Sequence, residues 1–257
     1  LPWSCAVHAR DVFAVSPPLL YRRLRSAAVV TACSQQAANA VIACGIPAEN
    51  VHVIHHGLPL AHFPFDPARE GHTLFTACRL EEKKGLDTLL HACACLAQRG
   101  TRFTCVIAGN GPLERDLHAL VRRLSLDTAV TFTGWLTQEE IRAHLLAARA
   151  VALPSRRTAD DDRDGIANIL LEAMALGTPV VTTEAGAAGE VLVDRMNGRL
   201  VPPDDPDALA DALEELLREE DAARVLTQAA RTTIESRFDA EKNITALEAF
   251  FAQAQRK

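Results

Sequence analysis

Two carboxylates frame one turn of this chain. Asp164 lies on a polar stretch, and Glu172 follows it by eight positions, inside the otherwise apolar run from Asn168 to Leu176. A carboxylate among so many apolar neighbours is costly to desolvate unless a partner satisfies it. The run breaks at Gly177 and Pro179 and gives way to the β-branched segment Val180 to Thr183. That order predicts loop, helix, turn and buried strand. A loop entering a helix presents free N–H groups, which seat an anion such as a phosphate. Gly165, Ile166, Ala167, Asn168, Ile169 and Leu170 form that entrance. Carboxylates on either side accept hydrogen bonds from neighbouring hydroxyls, so the stretch suits a phosphate with sugar hydroxyls beside it.

Further residues fit the same chemistry. Arg79 and Lys84 stand five positions apart after a strand-like segment, before Gly85. Arg offers a planar fork and Lys a point charge, a pair suited to a diphosphate; a solvated charged loop is the plainer use. Gly109-Asn110-Gly111-Pro112 follows another strand and permits a tight turn with close backbone approach. It lacks the third glycine of the dinucleotide fingerprint. His8, at a strand end, can donate a hydrogen bond or titrate near neutral pH. The acidic run Asp160, Asp161 and Asp162 before Asp164 is expected to be a solvated loop. No metal is expected. His52 and His55 fall on opposite faces of a strand, and no cysteine stands close to them or to His56 in sequence.

The elements that must position these groups follow from periodicity. Strands are predicted at 4–7, 28–32, 51–54, 73–78, 103–108, 129–133, 150–154, 180–183 and 199–201. Helices are predicted at 17–27, 35–43, 86–98, 113–124, 138–147, 168–176, 187–194, 206–219, 222–236 and 240–255. Repeated β-α-β units with apolar strands specify an α/β fold with parallel sheets covered on both faces and ligands at the carboxyl ends of the strands. The proline-containing segment from Leu58 to Pro67 reads as a linker. Residues 1–66 then form the end of one Rossmann-like domain with its linker, and 67–257 a second Rossmann-like domain with terminal helices.

A chain of 257 residues, 48% hydrophobic, can bury a sizeable core. A net charge of −6 argues against nucleic-acid binding. No apolar run is long enough to span a membrane, and no signal peptide is visible. Seven cysteines without a Cys-x-x-Cys pair read as reduced thiols in a cytoplasmic protein. Arg22, Arg23 and Arg25 beside Leu19, Leu20, Tyr21 and Leu24 offer a surface for anionic lipid, although a solvated face is the commoner use of such a helix.

An acid, seven residues, then Glu-Ala-Met-Ala and a Gly-x-Pro-Val-Val turn resembles the signature of the retaining glycosyltransferases of family 4, which have the GT-B fold. Asp164 stands where that family usually has Glu, as in branches that build exopolysaccharides of the colanic acid type, and Cys78 stands where it usually has Gly. The resemblance implies that Asp164 meets the donor sugar, Glu172 the ribose, and Arg79 and Lys84 the donor diphosphate. It places Gly109, Asn110 and Gly111 beside the nucleotide pocket, and His8, in a His-x-x-Asp context with Asp11, across the cleft from the sugar. Glu190 is read as structural. The implied reaction moves a hexose from a nucleotide diphosphate sugar to a hydroxyl of a glycan or lipid-linked acceptor, with retention and without a metal or cofactor, at or near the inner membrane face. In the family a complete first domain holds the acceptor, and here only its end is expected, since the chain opens at Leu1. Alternatives are a binding module or inactive fragment that holds the donor without transfer, and a nucleotide-sugar epimerase of the same architecture.

Overall fold

The computed structural model describes residues 3–254. The first unit runs β1 (Ser4–Val7), α1 (Ala9–Phe13), α2 (Pro17–Leu24), β2 (Val29–Ala32), α3 (Gln35–Ala43) and β3 (Val51–Val53). Its strands form a parallel sheet in the order β1-β2-β3, over a core that includes Val7, Leu20, Leu24, Val30 and Val41. Leu20 and Leu24 belong to that core, so α2 has little apolar surface left for a lipid: Arg22, Arg23 and Arg25 are exposed beside Tyr21.

The second unit contains β4 (Thr73–Ala77), α4 (Leu86–Gln98), β5 (Thr104–Ala108), α5 (Glu114–Arg123) and β6 (Val130–Gly134). It continues through α6 (Gln138–Ala147), β7 (Ala150–Leu153), α7 (Asn168–Leu176), β8 (Val180–Thr183) and β9 (Arg199–Val201). Three helices close it: α8 (Pro206–Arg218), α9 (Glu220–Arg237) and α10 (Ala240–Ala254). All six strands are parallel in the order β6-β5-β4-β7-β8-β9. Strand β7, Ala-Val-Ala-Leu, is buried at every position, as a strand covered on both faces must be. Leu86, Leu89, Leu117 and Leu213 pack one face, and Leu145, Leu171, Met174 and Ile234 the other. The order reverses between β4 and β7, and a doubly wound sheet opens its ligand crevice at the carboxyl ends of the strands flanking such a reversal.

Three elements differ from expectation. Residues 9–13 are helical, where no helix is expected; five residues are too few to show a period. The helix expected at 187–194 is only the 3-10 turn Ala188–Glu190. Helix α2 stops at Leu24, three residues early. Gln255, the expected end of the last helix, lies outside the described residues. Chain crossing back to the first unit is present: Leu58 N–H donates to Phe238 O at 2.7 Å, Ala240 N–H to Leu58 O at 3.0 Å, and Asn243 to His55 O at 3.1 Å. No described helix is long and apolar enough to cross a membrane.

Two buried arginines tie the helices to the sheet. Arg149, 4% exposed, donates to the carbonyls of Leu216 at 2.8 Å and Arg69 at 2.9 Å, and Arg69 donates to Leu176 O at 2.7 Å. Arg149→Ala should lower stability by about 3 kcal/mol, because it strands two buried acceptors. A urea titration checks this, and a change within about 0.5 kcal/mol would show the carbonyls find other donors.

Candidate functional site

The crevice between β4 and β7 is where the two halves of the sequence signature meet. Lys84 follows β4 and Asp164 lies on the loop after β7, yet Lys84 Nζ is 2.8 Å from Asp164 Oδ1 and 2.7 Å from Oδ2. Both side chains are largely buried, and Ser155 Oγ donates to Oδ2 at 2.8 Å. A carboxylate has about four acceptor positions. Three are occupied here, which leaves Oδ1 able to accept one more hydrogen bond, as from a sugar hydroxyl.

Gly85 makes this approach feasible. It adopts φ +61°, and a Cβ there would lie 1.9 Å from Pro154 O, inside any tolerable contact. The acidic run is only partly the solvated loop expected: Asp160 is exposed and accepts from Thr158 at 2.6 Å, whereas Asp162 pairs with Lys83 at 3.0 Å, both largely shielded. Neighbouring lysines thus hold neighbouring strand-end loops, and the Asp164 loop is fixed before any ligand arrives.

The loop feeds α7, whose N-cap is Ala167, with no side-chain cap. The first N–H groups of α7 are therefore left without a side-chain cap, at residues that line the crevice, the arrangement that favours an anion. Gly165, Ile166, Ala167, Asn168 and Ile169 line a cavity of about 350 Å³ together with Lys84, Asp164 and His56. A second cavity of about 350 Å³ holds Arg79, Gly109, Asn110, Glu172, Trp135 and Gln138. The two share Ala77, Cys78, Asn168 and Ile169, so they form one trough. Arg79 and Lys84 are therefore not side by side. Arg79 lines one end of the trough and Lys84 the other, and both ends share Asn168 and Ile169 of α7. Arg79 is mostly exposed and pairs with Glu81 at 2.9 Å.

Several expected residues also have a role in the fold. Leu170 is 3% exposed, packs in the core and lines neither cavity, and its N–H donates to Ala167 O. A Cβ on Gly109 would meet Cys78 O at 1.9 Å and one on Gly111 would meet Leu80 O at 2.5 Å, so these glycines let two strand-end loops touch. Gly111 lines neither cavity. Glu172 does face the trough. It is half-buried, and burial raises its carboxyl above the usual range while Arg142 pulls it partly back. Burial pushes the Cys78 thiol up to about 12, which keeps it protonated and inert at neutral pH.

Across the crevice, His8 caps α1, and Asp11 accepts from the His8 backbone N–H at 2.9 Å, so Asp11 is structural. The His8 ring does not line the trough. Its Nδ1 lies 3.1 Å from His56 Nε2, and His56 does line it. Glu190 accepts from the N–H groups of Gln35 at 2.7 Å and Gln36 at 2.8 Å, which caps α3 from the other unit. Its structural role is thus a latch between the two sheets.

Sequence reasoning missed His56, Ser155, Trp135 and Gln138. Each follows the carboxyl end of a strand, which is the signal that would have found them. Trp135, 72% exposed after β6, offers a flat apolar face at the mouth of the trough.

A six-stranded doubly wound sheet with this trough, facing a second parallel sheet, defines a GT-B α/β protein. Residues 62–233 match the family of glycosyl transferases group 1, and the chain belongs to that family. It is 36% identical over 202 residues to the amylovoran biosynthesis glycosyltransferase AmsK of Erwinia amylovora, a match covering 77% of this chain and 50% of that protein. It is 32% identical over 197 residues to the GDP-mannose-dependent alpha-(1-6)-phosphatidylinositol monomannoside mannosyltransferase of Mycobacterium tuberculosis, covering 72% and 51%. The chain spans about half the length of these relatives. Among solved structures, Anabaena Alr3699/HepE in complex with UDP and glucose superposes with a TM-score of 0.83 over 98% of this chain and 72% of that one, at 22% identity, a likeness of fold.

Proposed function

We propose that this chain carries the donor half of a retaining glycosyltransferase that moves a hexose from a nucleotide diphosphate sugar to a hydroxyl of a glycan or lipid-linked sugar. The observation that carries this reading is the Lys84–Asp164 pair beneath the uncapped start of α7, with Glu172 eight positions along the same trough. The diphosphate sits over the N–H groups of Asn168 and Ile169, between Arg79 and Lys84. Glu172 accepts from the ribose hydroxyls, Trp135 stacks on the base, and Asp164 accepts from a sugar hydroxyl. The bond from the anomeric carbon to the diphosphate oxygen breaks, and Lys84, Arg79 and the helix N–H groups meet the charge that grows on the departing oxygen. The acceptor oxygen bonds the same face of that carbon and its proton passes to the diphosphate, so no protein nucleophile, metal or cofactor is required. Similarity to an amylovoran biosynthesis enzyme supports a polysaccharide-building role. Seven free thiols fit a cytoplasmic setting, with contact at the inner membrane face where the acceptor is lipid-linked.

A thermal-shift panel of UDP, GDP, ADP and their common sugars tests the donor site, since a ligand of the folded state raises the melting temperature. One nucleotide should do so, and NMR of the product should show the donor's anomeric configuration kept. No shift with any nucleotide would overturn the donor assignment, and an inverted product would overturn retention. Arg79 must leave Glu81 to reach the diphosphate, so Arg79→Ala should lower kcat about tenfold and leave the ligand-free melting temperature unchanged.

A further inference from the structure

The three strands of the first sheet each deliver one metal-ligating side chain to the same point. His8 follows β1, Cys33 follows β2 and His56 lies three residues beyond β3. The imidazole nitrogens of His8 and His56 and the sulfur of Cys33 all lie within 4.8 Å of one another, and the His8–His56 distance is 3.1 Å. A tetrahedral ion with bonds of about 2.0–2.1 Å to nitrogen and 2.3 Å to sulfur requires ligand atoms about 3.3–3.6 Å apart. The two imidazole nitrogens already stand near that edge length, and the Cys33 sulfur lies within a rotamer adjustment of it.

The surroundings fit a cation. Glu190 and Asp11 place negative charge near the thiol. His55 is held elsewhere, its Nδ1 on Cys33 O at 3.0 Å and its Nε2 facing Arg237 at 3.2 Å, and its bond to the Cys33 carbonyl fixes the residue that carries the sulfur. The three candidate ligands line a cavity of about 260 Å³, so a fourth position stays open to solvent or ligand. An N₂S donor set selects a thiophilic ion such as Zn²⁺ over Mg²⁺ or Ca²⁺.

We propose that His8, Cys33 and His56 bind Zn²⁺, separately from the donor phosphates, and that the ion inhibits transfer. Binding displaces the Cys33 thiol proton to solvent, and each imidazole binds as the tautomer that carries its proton on the outer ring nitrogen. The inhibitory part rests on the proposed function: His56 lines the Asp164–Lys84 cavity, and a bound ion takes both histidines and places a divalent charge beside the donor sugar. These residues escape a motif search because they are far apart in the sequence and meet only through the sheet.

The test is a Co²⁺ titration of the metal-free, reduced full chain, followed by displacement with Zn²⁺. One equivalent should produce a sulfur-to-cobalt charge-transfer band with tetrahedral visible bands. Cys33→Ser should abolish the charge-transfer band, His8→Ala and His56→Ala should each weaken binding at least tenfold, and Cys44→Ser should change nothing. A band that persists in Cys33→Ser, or no binding at all, overturns the site. Calorimetry with the nucleotide found in the panel is run without metal: unchanged affinity in Cys33→Ser shows that an intact donor site and fold accompany the lost metal. Micromolar Zn²⁺ should inhibit transfer by the parent and spare Cys33→Ser, and equal inhibition of both overturns the regulatory part.

Discussion

Lys84→Ala is expected to cut kcat about a thousandfold while weakening nucleotide binding far less. Lys84 sits at 2.7–2.8 Å from Asp164, with 14% of its side chain exposed, so its charge acts in a shielded site where electrostatic stabilisation is strong. Removing one such group typically costs 10²–10³ in turnover, which at the upper end is about 4 kcal/mol of barrier. Asp164 would then be a shielded carboxylate that keeps only Ser155, which adds a stability cost of about 3 kcal/mol. Because the two residues act as one unit, Lys84→Ala combined with Asp164→Asn should cost much less than the product of the single effects. Steady-state kinetics of the three variants, with calorimetry for nucleotide, checks this. A kcat for Lys84→Ala within threefold of the parent would remove the lysine from the reaction and leave it a structural tie between two loops.

The Lys84–Asp164 pairing shows what sequence reveals and what it hides. Each residue is legible, since each follows an apolar strand and borders a glycine that marks a turn. Helix α7 and strand β8 are legible to the residue, because apolar periodicity, Gly177 and Pro179 agree there. The contact itself spans eighty positions and depends on strand order, which periodicity does not encode. The same holds for Arg79 and Lys84, close in sequence yet lining different ends of the trough. It holds also for Glu190, whose neighbours read as a helix but form a short turn that sends the carboxylate to α3. The failures cluster at loops where a side chain has a distant partner. Local pattern predicts elements well, and the partner of a polar side chain is a tertiary fact.

Glu172→Gln is expected to move the ligand-free protein and the complex in opposite directions. Burial raises the Glu172 carboxyl above the usual 4.5, so the folded state holds that proton more tightly than the unfolded chain. Stability from this group is complete below that value and declines as pH rises through the window above it, because the unfolded chain then binds fewer protons. Once ionised, Glu172 is a half-buried charge in the ligand-free protein, so on the alkaline side of that window the glutamine variant should melt higher. In the proposed role ribose hydroxyls donate to the ionised form, so nucleotide binding should release a proton at acid pH. Affinity of the parent should therefore strengthen as pH rises from about 5 and level off once Glu172 is ionised. The glutamine variant should bind about thirtyfold more weakly at neutral pH, roughly 2 kcal/mol for a charged acceptor, and show no such acid limb. A carboxylate kept only for the fold would give the reverse, a variant that melts lower and binds with unchanged affinity. Melting curves and calorimetry between pH 5 and 8 separate the two, since only a binding carboxylate destabilises the protein that carries it until its ligand arrives.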